Sequence, residues 1–190
     1  MNYLEEKILN EAIVIDEKIL KVDHFINQKI DIAVLRFAGH QFAEYFKDKG
    51  ITKILTIEAS GIAFGIATAF YLDDLPVVFA KKEESKLSGN DYTTEVYSFT
   101  KQKAYNIRVN KDFIDDKDNV LIIDDFLANG KATLGLIDIV EQAEATLIGV
   151  GIVIEKSFQQ GRSILENKAV DVYSLVKIKS LTNNIIEFTD

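Results

Sequence analysis

Cysteine is absent from this 190-residue chain, and proline and histidine are nearly so, with one and two residues. Without cysteine there is neither a disulfide framework nor a thiolate metal site, and an intracellular setting is the simpler expectation. The two histidines, His24 and His40, argue against a histidine-rich metal site. Pro76, standing alone, makes no proline-rich linker, and no repeat or low-complexity segment divides the chain. Long apolar runs are missing too. The longest, residues 61–72, covers about a dozen positions, short of the roughly 20 that cross a bilayer, and reads as a core helix. The first residues, Met-Asn-Tyr-Leu-Glu-Glu, lack the basic and then apolar order of a secretion signal, so a cytoplasmic protein without a membrane partner is expected. Positive charge is also short: 22 Lys and Arg against 30 Asp and Glu give a net charge of -8. That balance argues against duplex nucleic acid as a partner and requires any anion site to be local.

What is present is ordinary globular material, 47% hydrophobic and 27% charged, enough for one packed domain over residues 1–190. The most informative stretch is 120–132, Val-Leu-Ile-Ile-Asp-Asp-Phe-Leu-Ala-Asn-Gly-Lys-Ala. Val120 to Ile123 read as a strand buried on both faces of a parallel sheet, so Asp124 and Asp125 stand at a strand's carboxyl end, where open α/β sheets place ligands. Small residues at Ala128, Gly130 and Ala132, with Asn129-Gly130 suited to left-handed backbone angles, predict a loop of exposed N–H groups before a helix that begins near Lys131. Such a loop cradles a phosphate, and paired carboxylates accept hydrogen bonds from neighbouring ribose hydroxyls. A ribose 5-phosphate satisfies both halves. The alternative is a buried strand that ends in an acidic capping turn.

The rest of the chain alternates strands with helices. An amphipathic helix is expected over 4–12, a mixed cap-like stretch over 13–27, and a helix from Asp31 that Gly50 can terminate. Residues 52–57 read as the first central strand, followed by Glu58-Ala59-Ser60-Gly61 and a small-residue helix over 62–71. The amides of Ser60 and Gly61 form a second candidate anion site, or simply a helix cap. A third strand, 77–80, ends in Lys81-Lys82, whose ammonium groups suit a pyrophosphate or are plain surface lysines. Residues 83–91 are polar and glycine-containing, as in a flexible lid. Two strands follow, 93–99 and one carrying Tyr105, Ile107 and Val109, and the lid hairpin of about 83–110 is expected to project beside the site. A helix over 132–142, a buried strand over 146–154, a helix-like 159–162 and strands at 171–178 and 185–188 complete the chain. The fold class is α/β, a central parallel sheet with flanking helices.

The stretch Asp124-Asp125 with Ala128-Asn129-Gly130 resembles the phosphoribosyl-pyrophosphate (PRPP) motif of type I phosphoribosyltransferases. Residues Leu20-Lys21-Val22-Asp23, Asn27, Thr56-Ile57-Glu58, Val77-Val78-Phe79-Ala80, Tyr97-Ser98-Phe99-Thr100-Lys101-Gln102 and Ile154-Glu155-Lys156-Ser157-Phe158 extend the resemblance over nearly the whole chain, to the bacterial xanthine phosphoribosyltransferases. The resemblance implies that Asp124 and Asp125 serve catalysis, that Ala128, Asn129, Gly130, Lys131 and Ala132 hold the 5′-phosphate, and that the Ser60-Gly61 loop binds pyrophosphate. It also implies that Leu20, Asn27 and Lys156 contact the purine, under a small hood formed by about 1–30 and 155–190. A homodimer that uses Mg²⁺ with PRPP follows from the same resemblance, with no metal ligand assigned to the chain itself. One departure is that Asn129 and Ala132 stand where the commoner motif has hydroxyls, which shifts phosphate binding toward backbone amides. The reaction implied is purine salvage, xanthine and PRPP giving xanthosine 5′-monophosphate and pyrophosphate. Guanine, hypoxanthine or adenine as the base, or a non-catalytic PRPP-sensing regulator, are the alternatives.

Overall fold

The computed structural model describes residues 1–83, 89–98 and 103–189. The expectations for 84–88 and 99–102, parts of the lid and of the Tyr97–Gln102 motif, lie outside the described residues.

The centre is an eight-stranded sheet. Strands β3 (Lys53–Ile57), β4 (Val77–Glu83), β7 (Asn119–Leu127), β8 (Thr146–Lys156) and β9 (Val172–Ser180) run parallel, β6 (Lys103–Asn110) and β10 (Glu187–Phe188) run antiparallel to their neighbours in that set, and β5 (Asp91–Ser98) pairs antiparallel with β6 at the edge. The order is β10-β9-β8-β7-β3-β4-β6-β5. Side chains alternate faces along each strand, so these apolar runs feed two cores. Ile54, Leu121 and Ile123 pack with Val34, Phe42, Phe46 and Phe64 of helices α2 (Ile32–Phe46) and α3 (Ser60–Ala69). Leu55, Val120, Ile122 and Ile152 face Leu136, Ile139 and Val140 of α4 (Lys131–Gln142). Phe42 and Phe46 are fully buried, and truncating either to alanine would cost about 3–5 kcal/mol.

The mixed stretch after α1 (Tyr3–Glu11) is a hairpin, β1 (Ile13–Ile15) with β2 (Ile19–Lys21), closed by a π-helical turn at Asp23–Asn27. Its Leu20, Val22, Phe25 and Ile26 share a core with Val153, Ile154 and Ile178, which holds this layer over the carboxyl ends of β8 and β9. Lys7 of α1 pairs with Asp31, the N-cap of α2, at 2.8 Å. The layer over the sheet is thus built from the N-terminal segment, whereas β9 and β10 extend the sheet itself, since β9 finds a parallel partner in β8. Helix α2 ends at Phe46, before the positive-φ Gly50 expected to stop it, with Lys47 already extended. The β5–β6 hairpin belongs to the sheet: Val96, Ile107 and Val109 are buried, and Gln142 of α4 bonds both the amide and the carbonyl of Thr93.

Candidate active site

Strand β7 runs four residues beyond the expected end at Ile123. Its pairing with β3 stops at Ile122, but pairing with the long β8 continues to Leu127. Asp124 and Asp125 therefore lie on a ledge of β7 that is paired on one side only, and the opening falls above the shorter β3. Asp124 is buried, and Asp125 donates its amide to Asp124 Oδ1 at 2.9 Å. Burial, then the neighbouring Asp125 charge, push the Asp124 carboxyl well above the ordinary range, with Lys82 opposing.

Past the ledge the chain turns at Gly130, whose φ of 76° is left-handed, and α4 begins at Lys131. The first helical bond, Leu134 N–H to the Gly130 carbonyl, spans 2.9 Å. The amides of Lys131, Ala132 and Thr133 precede it, and no side chain among the described residues caps this end. They open on a cavity of about 180 Å³ lined by Ala128, Asn129, Gly130, Lys131 and Ala132, with Phe126, Tyr97 and Tyr105 as aromatic walls. This cavity has the chemistry of a phosphate site: aligned N–H dipoles without a competing carboxylate cap.

The second loop converges on the first. Helix α3 starts at Ser60, and its first turn, Ile62 N–H to the Ala59 carbonyl, leaves the Ser60 and Gly61 amides ahead of it. Gly61 is packed so closely that a Cβ there would lie 2.2 Å from Thr56 Oγ1 and 3.3 Å from Asp124 Oδ1. The Thr56 hydroxyl is buried and has no hydrogen-bond partner among the described residues. Glu58, whose peptide bond to Ala59 is cis, accepts the Lys82 amide at 2.5 Å.

The two lysines part company. Strand β4 extends to Glu83 because β6 pairs with it, so Lys81 and Lys82 point to opposite faces. Lys82 Nζ lies 5.8 Å from the Tyr105 ring centroid, on the side of Asp124 and the phosphate loop. Lys81 stands opposite Arg108 and lines a different cavity with Phe79 and Phe113. Of the two lysines, Lys82 is therefore on the side of the two loops and Lys81 on the opposite face.

At the other end of the ledge, Lys156 closes β8. Its Nζ donates to the Lys18 carbonyl of the hairpin at 3.0 Å and lies 5.8 Å from the Phe126 ring, and burial lowers its pKa. The N-terminal layer thus meets the site at Lys156. Leu20 of β2, two residues on from Lys18, has its side chain buried in the core and pairs with Val14. Asn27 ends the π-turn and is exposed. Tyr105, Phe126 and Glu58 were not singled out from the sequence as site residues. Tyr105 had a signal, its alternation with Ile107 on a strand beside the site, and Glu58 stands in the Glu58-Ala59-Ser60-Gly61 stretch that carries the resemblance.

Among the described residues no group of three or more His, Cys, Asp or Glu side chains could hold a metal ion, and no helix is long and apolar enough to cross a membrane. The phosphoribosyl transferase domain model matches residues 13–187. A xanthine phosphoribosyltransferase of Clostridium tetani is 52% identical over 189 residues, covering 99% of this chain and 100% of that protein. One of Staphylococcus aureus is 53% identical over 185 residues, covering 97% of this chain and 96% of that protein. Among solved structures, adenine phosphoribosyltransferase of Saccharomyces cerevisiae, complexed with an imino-altritol bisphosphate and adenine, aligns with a TM-score of 0.70 and 25% identity over 90% of this chain and 97% of its own. With carboxylate ledge, phosphate loop and full-length likeness in agreement, the chain belongs to the phosphoribosyl transferase family.

Proposed function

We propose that this protein transfers the 5-phosphoribosyl group of PRPP to xanthine in purine salvage. The observation that carries the reading is the close approach of the Ser60-Gly61 loop to Asp124, on the ledge that leads into the uncapped α4 N-terminus. The ledge accepts the ribose 2′ and 3′ hydroxyls, the amides of 131–133 take the 5′-phosphate, and the Ser60 and Gly61 amides with Lys82 take the pyrophosphate. A bond forms between a purine ring nitrogen and the sugar C1′ as the C1′–O bond to pyrophosphate breaks. The pyrophosphate leaves with the electron pair and the base proton passes to solvent. Holding the two reactants in line and neutralising the leaving group supply the rate, and no protein nucleophile is needed.

Mg²⁺ would be held by PRPP oxygens and water, as that ion prefers, and when bound it would neutralise the pyrophosphate. Xanthine carries a 2-oxo group in place of the 2-amino group of guanine and loses a proton more readily, so its site needs donors and positive charge. Lys156, at the end of β8, supplies them with Asn27 and Leu20 under the N-terminal layer. The relatives' names support xanthine as the base. The protein acts in the cytoplasm and as a homodimer, and sedimentation of the purified chain tests the dimer.

Nucleotide formation from PRPP and Mg²⁺ with xanthine, guanine, hypoxanthine or adenine offered separately tests the whole reading. A clear lead of xanthine in kcat/KM is expected. A lead of adenine, the base in the yeast structure, would leave the PRPP site standing and overturn the base assignment, and PRPP binding without turnover would indicate a regulator.

A further inference from the structure

The phosphate loop has a back as well as a front. Gly161, the first residue of α5 (Gly161–Asn167), sits directly behind it and donates its amide to the Ala128 carbonyl at 3.0 Å. The contact leaves no room for a side chain on either partner. A Cβ on Gly161 would stand 2.4 Å from the Ala128 oxygen and 3.0 Å from the Gly130 nitrogen, and a Cβ on Gly130 would stand 3.1 Å from Gly161 Cα. Gly130 is the left-handed residue that aims the α4 amides at the cavity, so its backbone is fixed from behind by Gly161.

Gly161 is in turn held by its neighbour. Arg162 Nε donates to Glu155 Oε2 at 3.0 Å, and one terminal nitrogen of the guanidinium bonds the same oxygen. The remaining donors reach the Val172 carbonyl at 2.8 Å and Ser174 Oγ at 3.0 Å. Glu155 is buried and also accepts from Ser174 Oγ at 2.6 Å and Ser157 Oγ at 2.7 Å. The planar fork of Arg162 therefore ties the start of α5 to β8 and β9 in one orientation. Neither Gly161 nor Arg162 lines the loop cavity.

The geometry points to Gly161 as a positioning residue for the PRPP 5′-phosphate loop, locked by the Arg162–Glu155 pair to the strand that carries Lys156. This inference rests on the PRPP reading above. A purely structural role for the contact would lower stability without separating the two substrates. A positioning role separates them, because only the phosphate loop is displaced. Alanine is the better helix former, so helix α5 itself gives no reason for Gly161→Ala to lose function.

The test is steady-state kinetics of Gly161→Ala and Arg162→Lys with each substrate varied, alongside circular dichroism. In folded Gly161→Ala the KM for PRPP is expected to rise about tenfold or more, while the KM for xanthine stays within about twofold. Arg162→Lys, which keeps the charge but loses the fork, is expected to raise the PRPP KM by a smaller factor in the same direction. An unchanged PRPP KM in folded Gly161→Ala overturns the inference. Should that variant fail to fold, Arg162→Lys decides in the same way. An unmodified protein that neither binds nor turns over PRPP overturns the functional reading instead, whereas an active unmodified protein with an unaffected Gly161→Ala removes only the positioning role.

Discussion

Asp124 and Glu155 are buried to similar depth, 4% and 1% exposed, on neighbouring strands, and their carboxyls behave in opposite ways. Glu155 is desolvated, yet hydrogen bonds from Arg162, Ser174 and Ser157 overcome that and hold its pKa below the ordinary value. Asp124 is desolvated with a second carboxylate beside it, and its pKa is raised. Burial is common to both; the partners decide the sign. Glu155 has its hydrogen-bond donors within the fold and serves as an anchor. Asp124 is bonded only locally, by the amide and the side chain of its neighbour Asp125, and no Arg or Ser of another element donates to it among the described residues. A structural charge is satisfied by the chain, whereas a functional one is left for the substrate to satisfy.

Replacing both ledge carboxylates, Asp124→Asn with Asp125→Asn, gives the largest effect. Turnover should fall by about three orders of magnitude, since charged acceptors for two hydroxyls are lost. The same variant should melt higher at pH 7, because burial and the neighbouring carboxylate disfavour the ionised Asp124 and the substitution removes that cost. The cost of the Asp124 charge is absent below pH 3.8 and grows as pH rises through the raised folded value, so the gain in Tm should vanish in acid. A double variant that melts lower at pH 7 would break the contrast.

Glu155→Gln should do the reverse. Arg162 loses its partner, and stability should drop by about 3 kcal/mol, read by denaturant unfolding. The stabilisation by Glu155 is complete above pH 4.5 and is lost as pH falls through the lowered folded value, so the gap from the unmodified protein should narrow in acid. The two variants thus differ from the parent with opposite signs, and both differences shrink toward low pH.

Smaller effects separate the remaining cations. Lys156→Met should raise the KM for xanthine by about tenfold to a hundredfold and leave that for PRPP nearly unchanged, as steady-state kinetics would show. Lys82→Met should raise the PRPP KM by about tenfold, against less than about twofold for Lys81→Met. Equal effects of the two lysine changes would contradict the opposite-face placement.

These contrasts also show what the amino-acid sequence makes visible. The Val120–Ile123 run, the two acids and Asn129-Gly130 announce a strand, acids at its end and a left-handed turn into a helix, because periodicity and turn chemistry are local. The extension of β7 to Leu127 was not visible, since it depends on β8 being long enough to pair with it. The facing of Lys81 and Lys82 depended likewise on β6 joining β4. Nor was the anchoring role of Glu155: Glu155-Lys156 reads as a surface pair until Arg162 and Ser174 are brought to it by α5 and β9. Local chemistry was legible, while partners supplied by distant strands were not.

The central claim is that the ledge reads the ribose of PRPP, and calorimetric titration of PRPP with Mg²⁺ into the unmodified protein and into Asp124→Asn/Asp125→Asn tests it most directly. Tight binding to the first, with loss of about a hundredfold or more in a second that remains folded, is the expected result. Equal affinity of the two proteins would contradict it.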